Sequence, residues 1–285
     1  MPRCLALAIG LAASCAYGGE AEVLSVLALD EAAGFRGGFS GIEVSEDGAE
    51  FWAISDRSQV IAGQFAREDG VMTGASITLD ARLRGPGGTY VPDNQSDAEG
   101  LARRADGRIY VSFEGYHRVW TYAAPDGEAA WMPRHPDFKE FHRNSGMEAL
   151  AIGPDGALYT LPESPRGGVD FPVYRYDGGD GWEVALTLER EIGWLPVGAD
   201  FGPDGALYLL FRNFSGVSFA SRVVRYHLTD ATPEVLYESG WGAHGNLEGI
   251  AIWQDGAGDM RAVLIADDNF KWFQSNEVVE LRLPR

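Results

Sequence analysis

The sequence predicts an all-β chain folded as a β-propeller of four-stranded blades. Three observations carry that expectation: a repeat of about fifty residues, an Asp-Gly turn inside each repeat, and no long stretch of helical periodicity. Five segments share the pattern of two apolar runs joined by Asp-Gly. They read SGIEVSEDGAEFWAIS from Ser40, EGLARRADGRIYVSF from Glu99, EALAIGPDGALYTLP from Glu148, VGADFGPDGALYLLF from Val197 and EGIAIWQDGAGDMRAVLIA from Glu248. Successive aspartates of the turns (Asp47, Asp106, Asp155, Asp204, Asp255) are 59, 49, 49 and 51 residues apart. In each segment the first residue lies seven positions before its aspartate. Asp-Gly between alternating apolar runs marks a hairpin, read here as type I′. A sandwich would not explain a fixed offset recurring five times.

Taken in order, the chain begins with Met1–Gly18, which has one early basic residue (Arg3), an apolar run Leu5–Ala13 and then small residues ending Ala16-Tyr17-Gly18. That is the layout of a secretory signal, too short to span a bilayer. Leu11-Ala12-Ala13-Ser14-Cys15 also resembles a lipid-attachment sequence, so an anchor at Cys15 stays open. An exported, periplasmic location is expected either way. Glu22–Leu29 reads as a lone strand. Each hairpin is then followed by a third strand (His117–Tyr122, Pro172–Tyr176, Arg222–His227, Glu277–Leu283), and by a fourth such as Trp182–Leu188 or Glu234–Tyr237. The last repeat lacks its outer strand, and Glu22–Leu29 is expected to supply it, removing an exposed sheet edge. Residues 22–285 thus make one domain of five blades. A sixth, degenerate blade would have to come from Val71–Ala98, which holds RGPGGTYVPDN and reads better as a long loop over a site.

Composition narrows the function. Both cysteines, Cys4 and Cys15, precede the domain, which excludes thiol chemistry and cysteine metal sites from it. The net charge of -19, from 42 acidic and 23 basic residues, argues against nucleic acid. Only Lys139 and Lys271 are lysines. A monomer acting on a small anionic or ester molecule is the expectation, without a transmembrane segment.

In a propeller the first strand of a blade lines the channel and the second runs back beside it. First-strand starts and second-strand ends therefore meet at one mouth, opposite the Asp-Gly turns. The starts carry Glu99, Glu148 and Glu248, with Ser40 in the first repeat and Asp200 three residues late in the fourth. The ends carry Asp56-Arg57, Glu114, Glu163, Arg212 and Asp267-Asp268. Crowded carboxylates raise one another's pKa unless a cation compensates. Calcium, which takes six to eight oxygen ligands in loose geometry, is the expected cation. Its expected ligands are Glu99, Glu148, Glu248, Asp268, Asp56, Glu114 and Glu163. Asn144, Asn213, Asn246 and Asn269 lie beside these positions and offer further oxygens. The five histidines show no paired spacing for zinc. The competing reading is structural: a carboxylate at a strand start can accept backbone N–H groups and hold neighbouring blades together. The turn aspartates and Trp52, Trp120, Trp182 and Trp253 are expected to be turn formers and packing residues. Gly38-Phe39-Ser40-Gly41 has the wrong spacing for a nucleophile elbow.

The segments GGFSGIEVSEDGAEFWAISDRS, DAEGLARRADGRIYVSFEG, GMEALAIGPDGALYTLPE, GADFGPDGALYLLFRNF and NLEGIAI with IADDNF resemble the bacterial phytase-like domain, described as "esterase-like activity of phytase". The likeness runs from about Gly37 to Leu283. It departs at Phe211-Arg212, where the family often has a glutamate before the arginine. The resemblance implies a propeller that hydrolyses phosphoesters or esters, with calcium by analogy to more distant propeller phytases. On that reading Glu99 or Glu148 acts as general base, and Arg57 and Arg212 hold developing negative charge. Two other functions remain at this stage: a non-catalytic propeller binding a ligand or partner at the same mouth, and a lactone hydrolase of the gluconolactonase-like type.

Overall fold

Alternate residues of a strand point to opposite faces, and in this chain both sets are apolar. In Leu207–Phe214, for example, Leu207, Leu209 and Phe211 pack towards one neighbouring sheet while Tyr208 and Leu210 pack towards the other. A sheet that is apolar on both faces must be covered on both faces, and sheets stacked around an axis satisfy this for every member. The computed structural model, which describes residues 20–29, 33–143, 145–229, 231–269 and 276–285, has that arrangement. The expected signal segment with Cys4 and Cys15, as well as Asn144 and Lys271, lies outside the described residues.

Five four-stranded antiparallel sheets form the blades. Blade 1 is β2 (Phe39–Val44), β3 (Glu50–Ser55), β4 (Gln59–Glu68) and β5 (Val71–Arg82). Blade 2 is β6 (Ala98–Arg103), β7 (Ile109–Phe113), β8 (Arg118–Tyr122) and the short β9 (Ala129–Trp131). Blade 3 is β10 (Ala149–Ile152), β11 (Leu158–Leu161), β12 (Phe171–Tyr176) and β13 (Glu183–Leu188). Blade 4 is β14 (Leu195–Phe201), β15 (Leu207–Phe214), β16 (Phe219–Tyr226) and β17 (Pro233–Glu238). Blade 5 is β18 (Asn246–Gln254), β19 (Met260–Asp267), β20 (Glu277–Arg282) and, from the other end of the chain, β1 (Glu22–Ala28).

The expected closure is present: β1 pairs antiparallel with β20 from Glu22↔Arg282 to Ala28↔Glu277. The core is correspondingly divided into five apolar layers, each between two adjacent blades. Trp120, Trp182 and Trp253 are buried in these layers, and Trp52 packs against one. Val71–Ala98 is no sixth blade and only in part a loop, because β5 takes its first half as the outer strand of blade 1. Among the described residues no helix is long and apolar enough to cross a membrane.

Two sequence readings are corrected. The hairpins are not type I′, because the turn aspartates keep negative φ. In blade 1 the Gly48 N–H donates to the Ser45 carbonyl, Gly48 takes φ 66°, and Asp47 accepts from the N–H of Ala49. The aspartate thus works through its side chain, and only the glycine uses the left-handed region. In blade 5 the turn slides forward, so that Asp255 accepts the Gly258 N–H at its carbonyl and Gly258 takes φ 82°. β18 is lengthened accordingly, and the seven-residue offset of the sequence is not a structural constant there.

Candidate functional site

The Glu-Gly step at the head of an inner strand serves two ends. Inner strands of neighbouring blades approach closely at Gly41, Gly100, Gly198 and Gly249. A Cβ on Gly100 would lie 2.7 Å from the Glu148 carbonyl, and one on Gly198 2.7 Å from that of Glu248. The backbones can meet there only without side chains. In blades 1, 2, 4 and 5 the inner pair also slips register at this step, between Phe39/Gly41, Ala98/Leu101, Pro196/Gly198 and Leu247/Gly249. Such a bulge re-aims the side chain beside it, and at Glu99 and Glu248 that side chain is a carboxylate.

The result is a continuous carboxylate network across the mouth. Glu99, Glu114, Glu148, Glu163, Glu248 and Asp267 are all buried. Burial, followed by the charges of Glu248, Glu114, Asp97 and Asp56, pushes the Glu99 pKa well above the usual carboxylate range. Burial and then Glu99, Glu163 and Glu114 do the same to Glu148. Glu248 rises to about 8, mainly by burial and against the pull of Arg212. Asp56 rises to about 7 through burial and the nearby Asp267. Asp267 rises to about 6, again through burial, although it accepts the Asn269 N–H at 2.6 Å. Glu114 is raised by burial and eased by hydrogen bonds with Glu148 and with the Gly146 N–H, the latter at 2.5 Å.

Arg212 sits within this network. Its guanidinium donates to Glu248, to Glu163 at 2.5 Å and to Asn246 Oδ1 at 3.1 Å. Burial opposes its charge, but Glu248, Glu163 and Glu148 outweigh that cost and hold it firmly protonated. The Asn246 oxygen is thereby engaged by the arginine, and its Nδ2 donates to Glu248 at 2.7 Å. Asp268 accepts the Gly38 N–H at 3.1 Å, with the loop before β2 wrapped closely around it.

Asp200 does not join the mouth. It accepts the N–H groups of Phe201 at 2.7 Å and Ile252 at 2.6 Å, and it interacts with Glu43 further down the channel. The sequence order placed it only three residues late, but the bulge and the glycine ring put those three residues on the far side of the constriction.

Two further residues, Asp97 and Arg143, belong to the site and were not picked out from the sequence. Oxygens of Asp97, Glu99 and Glu114 lie within 4.8 Å of one another. Two oxygens held about 2.4 Å from one ion are at most about 4.8 Å apart, so this triplet has the span of a calcium coordination shell, and its donors are all hard oxygens. Asp97 stands two residues before Glu99, on the same side of an extended chain, a spacing visible in Asp97-Ala98-Glu99-Gly100. Beside the triplet opens a cavity of about 460 Å³, lined by Asp56, Arg57, Asp93, Asp97, Glu114 and Arg143 among others. Arg57 and Arg143 are exposed at its rim, and Arg143 counteracts the rise that burial produces in Asp97. Arg143 follows a loop, not a repeat strand, so the blade pattern held no signal for it.

The family model for "Phytase-like: Esterase-like activity of phytase" matches residues 35–270. The chain belongs to this family. No curated protein matches the sequence. Among solved structures it is similar to an aldose sugar dehydrogenase from Streptomyces coelicolor solved with PQQ, at 12% identity and TM-score 0.54, covering 93% of this chain and 98% of that one. A luciferin-regenerating enzyme is similar at 11% identity and TM-score 0.50, covering 91% and 96%. At such identities the likeness concerns the fold alone. For this phytase-like protein the chemistry must therefore be argued from the mouth.

Proposed function

We propose that this phytase-like propeller is an exported, calcium-dependent hydrolase of phosphoesters or related esters, working at the acidic mouth. The observation that carries the reading is the convergence of Asp97, Glu99 and Glu114 beside a cavity whose rim bears Arg57 and Arg143. Calcium held by that triplet would supply positive charge for the ester's oxygens in a place where carboxylates alone repel an anion. Asp56 and Glu248 act on Glu99, and Glu163 acts on Glu114, adding to the negative field around the triplet; Asp268 acts through Asp56. Arg57 and Arg143, exposed at the rim, are the cationic groups placed to meet an incoming anionic ester. Glu148 is the residue assigned to take a proton from water: it is buried, burial and the neighbouring carboxylates raise its pKa above the usual carboxylate range, and it is hydrogen-bonded with Glu114. Arg212, already bonded to Glu163 and Glu248, positions those carboxylates and offsets their charge.

The test is a panel of phosphomonoesters, phosphodiesters, carboxyl esters and lactones, each assayed with calcium and with chelator. Calcium-dependent cleavage of one class, abolished in Glu148→Gln, is the expected result. Cleavage indifferent to chelation would remove the metal. No turnover of any class, with calcium still raising the melting temperature, would make this a ligand-binding propeller.

A further inference from the structure

On the face that holds the acidic mouth, three connections around blade 4 carry no Asp, Glu, Lys or Arg. They are Ile192–Gly198 (IGWLPVG), Asn213–Ser221 (NFSGVSFAS) and Ser239–Asn246 (SGWGAHGN), in a chain of net charge -19. The three are in contact with one another. The Phe214 and Phe219 rings stack at 4.8 Å, and the Gly242 N–H donates to the Phe219 carbonyl at 2.8 Å. A Cβ on Gly193 would lie 3.0 Å from the Asn213 amide. Four large apolar side chains stand at the tips: Ile192 and Val217 are 93% and 92% exposed, and Phe214 and Trp241 are more than half exposed. At the base, Arg222 holds Glu191 at 2.5 Å and Glu238 at 2.8 Å. The tips thus offer a partner apolar contact and no charge. Among the described residues no Asp-Gly turn exposes a large apolar side chain, so the opposite face has no counterpart. Single exposed apolar residues are ordinary, but a group on joined loops marks a contact surface.

The entry of the chain into the fold points to what covers this surface. The Ala21 N–H donates to the Leu236 carbonyl at 3.1 Å, and Ala21 packs against the apolar layer between blades 4 and 5. The chain therefore enters beside β17, and β17 leads from there to the mouth face and Trp241. Cys15, where the sequence leaves a lipid anchor open, precedes Glu20 by five residues, a reach of at most about 18 Å. Leu236 precedes Trp241 by the same number, about 17 Å of extended chain. Acyl chains on Cys15 would thus be within reach of the level of the tips. One lipid chain alone attaches a protein only reversibly, and a second apolar contact makes the attachment stable. Tryptophan favours the headgroup level of a bilayer. A strongly acidic protein gains nothing from anionic headgroups, so the fitting bilayer has neutral ones.

We propose that the apolar tips of blade 4 dock on a neutral lipid surface, as a second contact beside an anchor at Cys15. The inference does not depend on the hydrolase reading.

The probe is a phosphatidylcholine vesicle. The protein is the chain from Gly19 onward, which keeps β1 and the closed ring but has neither signal segment nor Cys15. It should float with the vesicles, equally at low and high salt, since no ion pairs contribute. Ile192→Ser/Val217→Ser/Trp241→Ser should weaken that binding at least about tenfold. Val26→Ser/Val184→Ser, which removes two exposed valines from outer strands, should leave it unchanged. All five side chains are exposed, and unaltered melting temperatures verify the fold. No flotation, or equal flotation by the triple variant, overturns the proposal. So does binding that requires anionic lipid and vanishes in salt. Dimers that the triple variant abolishes, in a protein that does not float, would assign the tips to a second copy of the chain instead. On a soluble ester the triple variant should keep the kcat and KM of the parent; a raised KM would assign the tips to substrate binding. Flotation by a protein that cleaves no ester would keep the lipid surface and sink the hydrolase reading.

Discussion

The channel has acids at both ends, buried at the mouth and half-buried at the inner end, and the two groups are held differently. At the inner end Glu43 accepts the Arg103 N–H at 3.0 Å, and Asp200 accepts those of Phe201 and Ile252. Each of these acids ties the inner strand of one blade to that of the next: blade 1 to blade 2, and blade 4 to blade 5. The matching positions in the other blades are Ala102, Ala151 and Ala251, small enough to leave room. At the mouth, carboxylates mostly face one another and Arg212, and three backbone N–H groups among the described residues, donating to Glu114, Asp267 and Asp268, are spread over a larger number of acids. A carboxylate that answers a backbone N–H is a staple, whereas carboxylates that answer one another are waiting on a cation or a proton. Acid count alone does not separate the two; their donors do.

That contrast can be broken most sharply at Glu148. Glu148→Gln keeps the shape of the mouth but removes its proton acceptor, so turnover should fall by roughly 10²–10⁴-fold. In chelator the variant should melt at or above the parent, because one repelling charge is gone. A chelated variant that melts well below the parent would make Glu148 a staple like Asp200.

The inner end should behave in the opposite way. Asp200→Ala leaves the Phe201 and Ile252 N–H groups without acceptors, at a cost of about 2–4 kcal/mol from about 1–3 kcal/mol per orphaned group. Calcium response and KM should be unchanged. A loss of the calcium response in this variant would mean that the two ends act as one site.

For the parent, calcium at a hundredfold excess over Kd should add about 2.7 kcal/mol. In a domain of this size that raises the melting temperature by roughly 5–10 °C. Glu99→Gln should lose most of that shift, while Asp200→Asn should keep it.

The smallest effect is a matter of pH. Burial raises the Asp200 pKa to about 7, against the pull of its two backbone donors. The folded protein therefore holds this proton more tightly than the unfolded chain, whose aspartates titrate near about 3.9. The resulting stability is fully present below that value and is lost as pH rises through about 7. Asp200→Asn, uncharged throughout, should lose about 1 kcal/mol or less at pH 5, where one backbone donor is poorly matched. It should draw level with the parent or pass it at pH 8. A difference between the two that is constant with pH would show that Asp200 is ionised throughout.

Much of this molecule could be read from its sequence, because a propeller repeats. Each blade states the same pattern of Asp-Gly turn, apolar strands and aromatic third strand, so five copies reinforce one another where a single hairpin would be ambiguous. The lone strand Glu22–Leu29 and the incomplete last repeat implied one another for a similar reason: an open edge needs a partner. The convergence of Glu99, Glu148 and Glu248 followed from equivalence of position around a ring. What the pattern did not contain were the departures from it. The glycine ring is a matter of interstrand distance, so the chain order could not tell that Asp200 falls below it. The shifted turn of blade 5 depends on which glycine takes positive φ. Arg143 and the basic segment around Lys139 lie in a connection between blades, where no repeat constrains the residues and only the closed ring decides which mouth they overhang. Sequence by itself determined the blades and the face on which acids gather, with five repeats counted and a sixth left open until β5 took its place in blade 1. Tertiary structure decided which acids meet backbone and which meet each other, because hydrogen-bond partners are set by approaches of a few ångströms between strands distant in the chain.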